Sequence, residues 1–75
     1  MTKLEVEKLL KASGFSKGEK HYAGFSVREY PPELVISYYH YRTAKIHTYL
    51  SEIRKIIKSS GIAVKASGGQ LVISK

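Results

Sequence analysis

Apolar residues recur at helical spacing in two stretches of this chain and at alternating spacing in two others, and the two patterns take turns. Val6, Leu9, Leu10 and Ser13 fall on one stripe, with Leu4 at its margin and Lys3, Glu7, Lys8 and Lys11 outside it. That spacing predicts an amphipathic helix over about residues 3 to 13. Thr2-Lys3-Leu4-Glu5 reads as a capping box: the Thr2 hydroxyl accepts from the Glu5 N–H and the Glu5 carboxylate reaches back. Gly14 supplies the left-handed residue that ends a helix, and Phe15 the apolar contact that follows it. A second stripe, Ile46, Leu50, Ile53 and Ile57 flanked by Tyr49 and Ile56, predicts a longer helix from about Ala44 to Ser60, capped by Thr43.

Each helical pattern is followed by a hairpin pattern. Phe25, Val27 and Glu29 alternate with Ser26, Arg28 and Tyr30, and after Pro31-Pro32 comes LVISYYHY, rich in β-branched and aromatic residues. Folding at the prolines pairs Val27 with Ile36 and Phe25 with Tyr38 on one face, and Arg28 with Val35 and Ser26 with Ser37 on the other. In the second hairpin Gly68-Gly69 turns the chain, so that Val64 meets Ile73 and Lys65 meets Val72. Gly-Gly suits a type I′ turn, which needs positive φ twice. Proline fixes φ near −65° and cannot adopt it, so the first turn must be wider or contain a cis proline. Residues 16–23, SKGEKHYA, have no counterpart in the second half and read as an inserted loop, either a spacer or an added functional segment.

The two hairpins are near copies. GFSVREYPPELVIS (24–37) aligns without a gap on GIAVKASGGQLVIS (61–74), and VEKLLKASGF (6–15) resembles IRKIIKSSGI (53–62). The expectation is one domain over 1–75, made of a first αββ half at 2–41 and a second at 43–75. One unit alone cannot bury its apolar helix stripe and sheet face. Two together predict an α+β two-layer sandwich: a four-stranded antiparallel sheet, both helices on one face, and a pseudo-twofold axis between the halves. LVIS is apolar on both faces, which favours strand order 1-2-4-3, with 2-1-3-4 as the alternative. The predicted core is Leu9, Leu10, Phe25, Val27, Leu34, Ile36, Ile46, Leu50, Ile53, Ile57, Ile62, Val64, Leu71 and Ile73.

Composition narrows the chemistry. With 75 residues and no cysteine, neither a disulfide nor a cysteine-based metal site supports the fold. Thirteen Lys plus Arg against six Glu give a formal charge of +7, a field that attracts phosphate-rich partners or acidic proteins. No run reaches the ~20 apolar residues that cross a bilayer. Glu5 and Glu7 interrupt the start of the chain, which excludes a signal-peptide pattern and points to a cytoplasmic protein without a membrane partner.

There is no cysteine nucleophile, no Asp, no Gly-rich phosphate loop, and no HExxH or EF-hand pattern. His21, His40 and His47 fall on different predicted elements, so no metal site, cofactor site or catalytic set is expected. Gly18-Glu19-Lys20-His21 resembles, without its serine, the Gly-Ser-His strand motif of HicA-type ribonuclease toxins; the resemblance implies a catalytic role for His21. The second hairpin at 62–74 has no place in that family's fold.

The sheet face away from the helices carries Ser26, Arg28, Tyr30, Val35, Ser37, Tyr39, Tyr41, Ala63, Lys65 and Val72. Cations interleaved with aromatics on an open sheet suit single-stranded RNA or DNA. The candidate nucleic-acid-binding residues are Arg28, Tyr39, Tyr41 and Lys65, with Arg42 and Lys20 at the rim. The alternative is an interaction module that uses the same tyrosine-rich face for an acidic protein partner or as a homodimer.

Overall fold

Thr2 starts the first helix through its side chain. Its hydroxyl oxygen accepts from the Glu5 N–H at 3.2 Å and donates to the Glu5 carboxylate at 3.1 Å. The capping box is thus closed between two side chains rather than through the Thr2 N–H. The structure is a computed structural model that describes residues 2–18 and 23–74. Six elements follow one another: α1 (Lys3–Ala12), β1 (Gly24–Tyr30), β2 (Glu33–Tyr39), α2 (Thr43–Ser59), β3 (Lys65–Ser67) and β4 (Gln70–Ser74). The strands form one antiparallel sheet in the order β1-β2-β4-β3, the favoured of the two expected orders. With two helices this is a small α+β fold.

Both helices end alike. Phe15 N–H donates to Leu10 and Gly14 N–H to Lys11; Ile62 N–H donates to Ile57 and Gly61 N–H to Lys58. These crossed bonds are the Schellman arrangement, which satisfies carbonyls the helix itself leaves open. The start of α2 differs from expectation. Arg42, not Thr43, is the capping residue, and its own side chain makes no capping bond. Instead, the Arg42 N–H donates to Nδ1 of His40 at 3.0 Å, so the chain turns one residue earlier.

Alternation along the strands sends Phe25, Val27, Leu34, Ile36, Leu71 and Ile73 to the face that meets Val6 and Leu10 of α1 and Leu50, Ile53 and Ile57 of α2. Val64 completes this cluster just before β3. Leu9, Ile46 and Ile62, expected inside, are only partly buried against it, while Val6 is fully buried. Leu9 lies between the fully buried Val6 and Leu10 but to one side of their line around α1, and Ile46 lies in the first turn of α2, before the buried Leu50. β3 is three residues long, so Ala63 precedes the strand instead of lying on it. A short edge strand offers little template for pairing with another sheet.

The first hairpin turns at a cis Pro31–Pro32 bond, and the second at Gly68 and Gly69, with φ of +56° and +75°. At the other edge the inserted loop covers β1. Gly18 N–H donates to Phe25 at 2.8 Å and Phe25 N–H to Ser16 at 3.0 Å, forming a parallel bridge at Lys17. The crossing needs glycine on both sides, because a Cβ on Gly18 would stand 2.5 Å from the backbone of Gly24. The loop also buries Glu7, expected outside the helix stripe: it is 7% exposed and pairs with Nζ of Lys17 at 2.6 Å. Residues 19–22, with the rim candidate Lys20 and the His21 of the toxin-like motif, lie outside the described residues. Among the described residues no helix is long and apolar enough to cross a membrane.

Candidate nucleic-acid interface

On the face opposite the core the strand register arranges side chains in rows. Arg28 pairs with Val35, Val35 with Val72, and Val72 with Lys65, so one row crosses all four strands with a cation at each end. Neighbouring strands lie about 4.8 Å apart, which separates the two cation-bearing backbones by roughly 14 Å. The next row is polar: Ser26 pairs with Ser37 and Ser67 with Gln70, and Gln70 Nε2 donates to the Ser37 hydroxyl at 2.9 Å. On the other side Tyr30 pairs with Glu33, and Glu33 with Ser74, whose hydroxyl donates to Glu33 Oε2 at 3.4 Å.

Arg28 and Tyr39 meet directly. Nη2 of Arg28 donates to the Tyr39 hydroxyl at 3.0 Å. The hydroxyls of Tyr30 and then Tyr39 push the Arg28 pKa further above its ordinary value, in a side chain that is a permanent cation already. A guanidinium has five N–H donors, and one bond to Tyr39 leaves others for a phosphate.

The six candidate residues divide into three sets. Arg28 and Tyr39 are in contact, and Lys65 faces the same way at the far end of the row. Tyr41 and Arg42 are off the sheet, because β2 stops at Tyr39 and the chain bends there toward α2. Tyr41 is 85% exposed and stacks on His40 at 4.7 Å, with Arg42 Cζ 5.6 Å from its ring centre. Lys20 lies outside the described residues, as does His21 of the toxin-like segment.

The Tyr41–His40 stack continues toward α2. His40 lies 6.0 Å from Tyr49, Tyr49 stacks on Tyr38 at 4.9 Å, and Phe15 meets both tyrosines edge-on at 6.4 Å. Much of the aromatic content thus packs against the helical layer. Burial pushes the Tyr38 pKa upward, with smaller contributions from Tyr49 and Glu52.

One feature escaped the sequence reading, and a second weighs against a strongly basic sheet face. Glu33 lies on the open face and places a carboxylate beside the Arg28 row; the alternation that selected Val35 and Ser37 also selects it. Most of the described cations, by contrast, belong to the helices: Lys3, Lys8 and Lys11 on α1, and Lys45, Arg54, Lys55 and Lys58 on α2. Among the described residues no three His, Asp or Glu side chains converge as metal ligands. No protein-family model, curated protein or solved structure matches this chain.

Proposed function

We propose that this chain is a tandem αββ repeat folded about an approximate two-fold axis. On this reading it binds single-stranded RNA or DNA through its open sheet face, without catalysing a reaction. The observation that carries this reading is the Arg28–Val35–Val72–Lys65 row. Arg28 and Lys65 occupy matching places in the two copies, as do Val35 and Val72. The central pairing supports the axis, since Leu34 faces Ile73 and Ile36 faces Leu71, so it reads alike from either strand. The matched helix endings support it as well.

A strand crossing this face meets one cation in each half. Tyr39, held by Arg28, offers a fixed ring for stacking, and the Ser26, Ser37 and Ser67 hydroxyls supply hydrogen bonds without selecting a base. Arg42 and Lys20 add phosphate contacts at the rim. The half-buried Val35 and Val72 at mid-row favour a second reading, in which the same face meets an acidic protein partner or a second copy.

Fluorescence anisotropy with labelled oligouridine and oligothymidine, run across a salt series, separates the two. The two phosphates held by Arg28 and Lys65 contribute about −1.4 to the slope of log K against log salt. Absence of binding at low salt, together with a salt-resistant dimer in light scattering, decides for the second reading.

A further inference from the structure

A cleft of about 310 Å³ opens between α2 and the β3–β4 turn, away from the open face. One wall is a single helix face carrying His47, Ser51 and Arg54, spaced three to four residues apart so that they line up. The other wall is the Gly68–Gly69 turn with Ser67 beside it. Neither turn glycine has anything within 4 Å of where a Cβ would stand, so a ligand can approach the main chain there. Leu50, Ala66 and Leu71 form an apolar floor.

Arg54 makes the cleft more than a gap. Its Nε is shielded from solvent and has no hydrogen-bond partner among the described residues. A guanidinium keeps its charge, and a shielded, unpaired donor on a permanent cation is an uncommon arrangement that calls for a partner. None of the described residues lining the cleft is acidic, so no side chain there fills that role. An anion would.

We propose that this cleft binds a phosphomonoester. The guanidinium, the imidazole and the Ser51 hydroxyl line one wall and the main chain of the Gly68–Gly69 turn the other, so the several oxygens of a phosphate can be met from two sides. The apolar floor gives the attached organic group a place to rest, and the volume accommodates a ligand of small-molecule size. The phosphate comes either from a free mononucleotide or from the 5′ end of a nucleic-acid strand. Both present the same dianionic group.

The test is an amide-shift titration of the ¹⁵N-labelled full chain with adenosine 5′-monophosphate, with adenosine, and with one oligonucleotide carrying or lacking a 5′-phosphate. Saturable shifts at Ser51, Arg54, Gly68 and Gly69 with the phosphorylated probes, absent with adenosine, are expected. Saturation by the mononucleotide identifies a free ligand; saturation only by the phosphorylated oligonucleotide identifies a strand end. Arg54→Met keeps the apolar stem and should weaken binding about tenfold or more. His47→Ala, at an exposed position, should weaken it as well and serves if the Arg54 variant fails to fold. Absence of saturable shifts at these residues, or shifts indifferent to both substitutions, would overturn the proposal.

Discussion

Glu7 and Lys17 join the first helix to the loop that follows it, through an ion pair of 2.6 Å in which Glu7 is almost wholly buried and Lys17 half exposed. The pair holds residues 16–18 against β1, where they cover the edge of the sheet. Removing Lys17 strands a buried carboxylate, which costs more than the pair itself contributes. Lys17→Met should destabilise the fold by about 1–3 kcal/mol, read as a lower urea midpoint. Glu7→Gln, which leaves no buried charge behind, should cost less. Equal midpoints for Lys17→Met and the wild type would show that the loop is held by other contacts.

The core rests on a few large side chains that meet at the centre of the sheet. Ile36 and Ile73 are 0% and 2% exposed. Truncating either to alanine should cost about 2–5 kcal/mol, a large share of the stability of so small a domain. Thermal melts followed by circular dichroism check this. A wild-type melting temperature in either variant would mean that these side chains do not fill the core.

Tyr38 links stability to pH. Its folded-state pKa is raised, chiefly by burial. The folded form therefore keeps its proton at pH values where the unfolded chain has lost it. The stabilisation is intact below the ordinary tyrosine value of about 10 and is lost as pH rises beyond it. The melting temperature should fall on the alkaline side of pH 10, and Tyr38→Phe should reduce that fall. An unchanged alkaline slope in Tyr38→Phe would assign the loss to other groups.

Alternation and turn chemistry made the strands legible, and with them the β1–β2 and β3–β4 registers, the strand order and most of the core. The same parity found Arg28, Tyr39 and Lys65 on the open face. It failed for Tyr41 because parity holds only while the chain stays in the sheet. The chain leaves after Tyr39 to begin α2 at Thr43, and the His40–Arg42 bond fixes that departure. Glu7 was misread for a related reason: a helix stripe reports what the sheet covers, not what a loop folding back will cover. The Arg54 cleft requires α2 and the second hairpin to meet, and no local pattern records that meeting.

Tyr39 anchors the proposed single-strand platform. Tyr39→Ala should lose roughly 1–3 kcal/mol of oligonucleotide binding by removing a stacked base. The ring lies on the face away from the core, so the melting temperature should change little. Equal affinity of Tyr39→Ala and wild type in anisotropy titrations would remove stacking on this ring from the account.

The central claim is that Arg28 and Lys65, at matching places in the two halves, each hold a phosphate of the same strand. The most direct measurement is the salt dependence of oligonucleotide affinity in Arg28→Ala, Lys65→Ala and the double variant. Each single change should flatten the slope of log K against log salt by about 0.7, and the double change by about 1.4. Slopes identical to wild type in all three proteins, or no oligonucleotide binding by the wild type near 50 mM salt, would contradict the claim.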